Sequence, residues 1–102
     1  MPHLTMLVKQ NWDNEALGFT EQQRVELKKI RQRTMSGVMG LKGEIFPLEK
    51  SIVKANANGE KPAQKDVEKL AKLRAEATMI HLNCIYDTKK VLSEKQLLLL
   101  LK

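Results

Sequence analysis

The chain is poor in several residue types that small proteins use to define themselves. It has one cysteine, Cys84, among 102 residues, so an intrachain disulfide is impossible. Large rings are scarce: Trp12, Phe19, Phe46 and Tyr86 are the whole aromatic inventory. A compact globule usually fills its core with more of them. Two histidines, His3 and His81, lie far apart in sequence. No Ser-His-Asp set, glycine-rich phosphate loop or paired-cysteine motif can be assembled, so the chain does not read as an enzyme and implies no cofactor. The longest apolar run, Leu97 to Leu101, is far too short to span a bilayer. The opening Met1-Pro2-His3 lacks the charged and apolar regions of a signal peptide.

What remains is rich in Ala, Leu, Lys and Glu, a composition suited to long helices. The formal net charge is +6, which favours acidic partners, anionic surfaces or nucleic acid without choosing among them. Basic residues crowd the stretch Arg24, Lys28, Lys29, Arg31 and Arg33. They are interleaved with Glu26 and with no aromatic residue, unlike a base-stacking surface, and no DNA- or RNA-binding pattern is present. For any one of these cations, a solvated helix face is the simplest account.

A short motif occurs twice. Phe19-Thr20-Glu21-Gln22-Gln23 and Leu92-Ser93-Glu94-Lys95-Gln96 share an apolar residue, a small hydroxyl residue, two variable positions and Gln. This is the pattern of a capping box. The hydroxyl accepts the backbone N–H three residues on, and the Gln side chain reaches back to the N-cap N–H. Each copy therefore starts a helix and satisfies donors that the helix cannot satisfy internally.

Four helices follow from the spacing. The first runs from about Pro2 to Asn11, with Leu4, Leu7, Val8 and Trp12 as its stripe, and Asp13, Asn14 and Gly18 mark its exit. The second runs from Thr20 to about Ala57. Its stripe is Leu27, Ile30, Thr34, Val38, Leu41, Ile45, Leu48, Ile52 and Ala55, a coiled-coil-like period with one extra four-residue step near Thr34. Such a helix spans about 55 Å. Pro47 lies inside it and predicts a kink near Gly43 to Pro47. Asn58 and Gly59 provide a left-handed stop, and Pro62 suits the first turn of a third helix reaching Val91. That helix carries Val67, Leu70, Leu73, Ala77, Ile80, Cys84, Thr88 and Val91 on one stripe. From Met79 to Tyr86 its apolar residues spread wider, which predicts burial on more than one side. Ser93 caps a last helix from Glu94 to about Lys102. The fold class is therefore all-α: an elongated antiparallel hairpin of two long helices with short N- and C-terminal helices, in a single domain spanning 1–102. One hairpin covers its own apolar surface poorly, so a homodimer with two-fold symmetry is expected.

With these elements in place, the paired motifs resemble the LTxxQ signature of the periplasmic stress proteins of the Spy/CpxP type, a superfamily that also contains heavy-metal-resistance sensors. The likeness extends from about Leu4 to the end of the chain. Phe19 stands where the family usually has Leu, and Ser93 where it has Thr; both changes keep the capping chemistry. The resemblance implies a cradle-like homodimer in the periplasm that holds unfolded client proteins on a basic, partly apolar concave surface without ATP. The alternative it implies is a metal-responsive sensor or a regulator of an envelope-stress sensor kinase. The structural motif positions are Thr20, Gln23, Ser93 and Gln96.

Each candidate binding residue also has an ordinary packing role open to it. Met35 and Met39 lie four apart on the side of the second helix that follows the basic cluster. Flexible thioethers suit adaptable surfaces, so Arg24, Lys28, Arg31, Met35 and Met39 form a candidate client patch; the alternative is that the methionines are core. His81 and Cys84, three apart, share a helix face, and with His3 they are the only candidates for a divalent metal. A full site needs three or four ligands, and Cys84 also falls on the apolar stripe, where buried thiols are common. Gly37, Gly40 and Gly43 sit mid-helix at a cost of about 1 kcal/mol each relative to Ala, consistent with a close approach, with local softness beside Pro47, or with plain tolerance.

Overall fold

The computed structural model describes residues 4–102, which form four helices and no strand. They are α1 (Leu4–Gln10), α2 (Glu21–Ala57), α3 (Gln64–Val91) and α4 (Glu94–Leu101). The all-helical fold and the two long helices are thus as expected from the spacing. The helices pair in descending order along α3: Glu49 bonds Arg74, Ile80 sits against Gly37, and Arg33 bonds Asp87. Over residues 35–80 the two long helices are therefore antiparallel.

The helix boundaries have local causes. Asn11 Nδ2 donates to the Leu7 carbonyl (2.8 Å) and closes the last turn of α1. Ala16 N–H donates to Asn14 Oδ1 (3.0 Å), an Asx turn, and Gly18 adopts φ +56°, a conformation that favours a residue without Cβ. The α2 terminus is a Schellman motif. Gly59 has φ +74°; its N–H donates to the Asn56 carbonyl (3.1 Å) and the Glu60 N–H to the Ala55 carbonyl (3.0 Å). α3 starts at Gln64, two residues later than Pro62 suggests; the Ala63 carbonyl receives the Asp66 and Val67 N–H groups. Proline lacks an N–H, so it is tolerated anywhere ahead of the first turn, and composition does not distinguish the first helical position from the one before it. α2 remains helical through Pro47.

Contacts divide the chain into two compact units. The first comprises the N-terminal part through Thr34 together with His81–Lys102. Its core is Leu4, Val8, Leu17, Phe19, Leu27, Leu92 and Leu100, with Trp12, Ile85 and Leu97 packed around it. α1 lies on α4, which explains why Leu100 is buried; Leu98 and Leu101 remain exposed. The second unit, Met35–Ile80, has a smaller core of Leu41, Ile45 and Leu73, flanked by Leu48, Leu70, Ala77 and Ile80. Burying a Leu or Ile contributes about 1.5–3 kcal/mol, so the first unit has the larger apolar driving force.

One expectation needs correction. Met79, Leu82 and Tyr86 do not bury a second side of α3: they are 55, 51 and 58% exposed. The covered face there holds Cys84 and Thr88, buried, with Ile80 and Ile85 partly buried beside them, and a wide apolar arc on a helix does not by itself supply a partner. Val67, at the start of the same stripe, is also exposed.

Candidate functional site: interlocked glutamines, a tryptophan clamp and a basic-rimmed groove

Both capping boxes form. Thr20 N–H donates to Gln23 Oε1 (2.9 Å) and Gln23 N–H to Thr20 Oγ1 (3.1 Å). Ser93 N–H donates to Gln96 Oε1 (2.9 Å) and Gln96 N–H to Ser93 Oγ (3.2 Å). The apolar residue ahead of each cap, Phe19 or Leu92, is buried in the same cluster. That shared anchor brings the two helix starts together.

The two glutamines then complete each other. Gln23 Nε2 donates to Gln96 Oε1 (2.8 Å), and Gln96 Nε2 donates back to Gln23 Oε1 (3.1 Å). The second proton of each amide goes to a carbonyl beside the opposite motif: Gln23 to Val91 (3.0 Å) and Gln96 to Leu17 (2.9 Å). A primary amide offers two donors and two acceptor lone pairs, and all four are used on each side chain. Turning either amide over would set its NH2 against a backbone N–H and its oxygen against a carbonyl, so the network itself fixes both orientations. Gln96 is 6% exposed, and a buried amide is tolerated because every polar atom is paired. The capping pattern announced the bonds within each motif. It carried no sign that residues 73 apart would exchange bonds.

A second polar hub missed in the sequence surrounds Trp12. Arg24 Nη2 donates to the Trp12 carbonyl (3.2 Å) while its guanidinium lies 5.4 Å from the indole centroid. The Lys28 ammonium is 5.9 Å from the same ring, and the Phe19 ring is 6.0 Å away, tilted by 40°. Arg24 is therefore engaged in holding the α1–α2 loop. Its ion pair to Asp13 is longer, at 3.6 Å.

Beside this hub, α1, α2 and Thr88 enclose a groove of about 340 Å³ within the first unit. Val8, Leu27 and Ile30 form its apolar base, and Lys9, Lys28 and Arg31 its rim. Among the described residues, none that lines it is acidic. Lys28 and Arg31 thus meet at one groove, whereas Met35 and Met39 belong to the second unit.

Met35 and Met39 are not core: they are 53 and 65% exposed. Phe46 (59%) and Val53 (67%) continue the same line at steps of seven residues. At about 100° per residue, the four side chains fall within about 40° of one another over about 27 Å of helix. The sequence contained this signal, since the spacing 35, 39, 46, 53 is plain once Phe46 and Val53 are counted. Lys42 and Lys50 stand on the same strip and are exposed.

Of the metal candidates, His3 lies outside the described residues. Cys84 is 3% exposed with its sulfur 3.3 Å from Thr5 Oγ1, and His81 is exposed. Among the described residues no group of three or more His, Cys, Asp or Glu side chains is gathered closely enough to hold a metal ion. None of the helices is long and apolar enough to cross a membrane, again among the described residues. Compared with known proteins, the chain matches no family model, no curated protein and no solved structure.

Proposed function

We propose that this chain is an ATP-independent holding protein for unfolded polypeptides, working in the periplasm as a homodimer. The observation that carries the reading is the exposed strip Met35, Met39, Phe46 and Val53 with Lys42 and Lys50 set into it. A line of exposed large apolar side chains along one face of a folded protein is a candidate interaction surface. Thioether and aliphatic side chains adapt to many shapes, which suits weak binding of many sequences. The lysines raise capture rates for acidic segments. Paired capping boxes at the positions expected of the LTxxQ resemblance support the same assignment, and a second copy would cover apolar surface that one chain leaves bare.

The test is light scattering from a denatured client diluted into buffer without nucleotide. Equimolar protein is expected to suppress aggregation, and Met39→Ser with Phe46→Ser to weaken suppression several-fold while helix content is unchanged. Sedimentation is expected to give twice the chain mass. An inert native protein, or full activity in the double variant, refutes the reading. Tight zinc binding that changes the association state would favour a metal-responsive regulator instead.

A further inference from the structure

We propose that the groove between α1 and α2 binds a single-chain fatty carboxylate, with the carboxylate at Lys9, Lys28 and Arg31 and the hydrocarbon on Val8, Leu27 and Ile30. This goes beyond client holding and concerns a different surface. The groove volume of about 340 Å³ falls at the lower end of small-ligand sites, about 300–1,000 Å³. Its base is strongly apolar: Val8, Leu27 and Ile30 are 4, 6 and 6% exposed. Its rim carries three cations and, among the described residues, its lining holds no carboxylate, so the charge a ligand must bring there is negative.

Three ligand classes fit that description unequally. A polypeptide would bring a backbone donor and acceptor at every residue, and between the rim cations the lining offers them two hydroxyls, of Thr5 and Thr88, so burial there would leave polar groups unpaired. A diacyl lipid has two chains for one narrow groove. A single hydrocarbon chain brings no polar atom to the base and one anion to the rim. Long lysine stems can lie along the chain while their ammonium groups meet the carboxylate. Trp12, held by Arg24, forms a rigid wall at one side.

Dodecanoate, kept below its micelle threshold, is the probe for calorimetric titration of the intact chain. One molecule per chain is expected to bind with micromolar affinity, and uncharged dodecanol at least tenfold more weakly. The charge reversal Lys28→Glu with Arg31→Glu, both at exposed positions, is expected to weaken dodecanoate at least tenfold with helix content retained. Met39→Ser with Phe46→Ser is expected to leave it unchanged, which separates this site from the client strip. No saturable binding, equal affinity for dodecanol, undiminished binding by the charge-reversed variant, or loss of binding in the methionine–phenylalanine variant would each overturn the proposal.

Discussion

Replacing Gln96 by Leu tests whether the interlocked glutamines hold the first unit together. The substitution keeps the side chain's approximate size but makes it apolar, and removes four contacts: those with Ser93 N–H, Leu17 C=O and both halves of the Gln23 amide. What is left behind decides the magnitude. Leu17 is 7% exposed, so its carbonyl loses its partner where water has little access, at about 1–3 kcal/mol. Ser93 is exposed and its N–H can bond water, so the lost cap costs about 1 kcal/mol or less. Gln23, half-buried, gives up two bonds at about 1 kcal/mol each and recovers part of this by hydration. The added apolar surface of Leu offsets about 1 kcal/mol. The expected net loss is about 2–3 kcal/mol, a large share of the stability of a small domain, and it lowers the melting temperature by roughly 10–20 °C. Urea and thermal unfolding of Gln23→Leu, Gln96→Leu and the double variant make the cycle. Because each single change orphans the other amide, the double variant should be less destabilised than the sum of the singles by about 1–2 kcal/mol. Gln96→Glu adds a sign test. One oxygen of the introduced carboxylate accepts from Ser93 and Gln23, but the other replaces Nε2 and faces the Leu17 carbonyl and Gln23 Oε1 at a site 6% exposed, so burial and two facing oxygens favour the protonated acid and raise its pKa above the unfolded value. That contribution is fully present below the unfolded pKa, about 4.3, and is lost as pH rises through the folded one. The gap to the native chain should therefore be smaller at pH 4 than at pH 7. A cost below about 0.5 kcal/mol for Gln96→Leu, or strict additivity in the cycle, would refute the interlock as a cohesive element.

Gly40→Ala and Gly43→Ala should each raise stability by up to about 1 kcal/mol in thermal melts, since a Cβ at either site meets nothing within 4 Å; Gly37→Ala should gain less, because its Cβ would stand 3.0 Å from the Ile80 Cδ1 tip. Pro47→Ala should stabilise by about 2 kcal/mol by restoring a helical hydrogen bond in an exposed stretch, read by urea unfolding. Arg24→Ala should cost about 1–2 kcal/mol through the lost Trp12 carbonyl bond and cation–π contact, whereas Asp13→Ala should cost under about 0.5 kcal/mol, since that carboxylate is 89% exposed. In native-state hydrogen exchange, amides around Leu41, Ile45 and Leu73 should open at lower free energy than those around Leu27 and Leu92.

Local chemistry was legible in the sequence, and long-range pairing was not. The α2 stripe read from spacing alone contains the buried residues Leu27, Ile30, Leu41 and Ile45, and both caps stand where a hydroxyl precedes Gln by three. Gly59 takes the left-handed position expected of it, because only one residue type in that loop does so without strain. Periodicity misleads at Met79, Leu82 and Tyr86, where hydrophobic residues have no covering partner among the described residues. Nothing local could reveal the Gln23–Gln96 exchange or the Arg24–Trp12 clamp. A capping glutamine uses only its oxygen within its own motif, and where its NH2 goes depends on which helix start is folded beside it. Arg24 looked like one member of a cationic run, yet its neighbour across the loop, not its neighbours along the helix, determines what it does.

The spare donor explains why two identical boxes should meet. A single capping box leaves its glutamine NH2 with two protons and no local acceptor. Buried, that group costs more than the cap returns. A second box at the same place presents an oxygen with a free lone pair and a flanking carbonyl, which is what the first box lacks, and the need is mutual. Pairing thus turns two elements that would each have to face water into one that can be 6% exposed at Gln96 and still fully bonded. The bonds tie residues 17–23 to 91–96, so the first unit gains specific cohesion besides its apolar core. None of these bonds involves residues 35–80, which contain Gly37, Gly40, Gly43, Pro47 and the exposed strip. The mid-helix glycines, Pro47 and the Met35–Val53 strip therefore lie in the unit that the interlock does not use, although the first unit exposes apolar residues of its own, such as Tyr86 and Leu98. For the holding role proposed above, a yielding surface is needed, and it can be kept only where the protein's own cohesion does not depend on it.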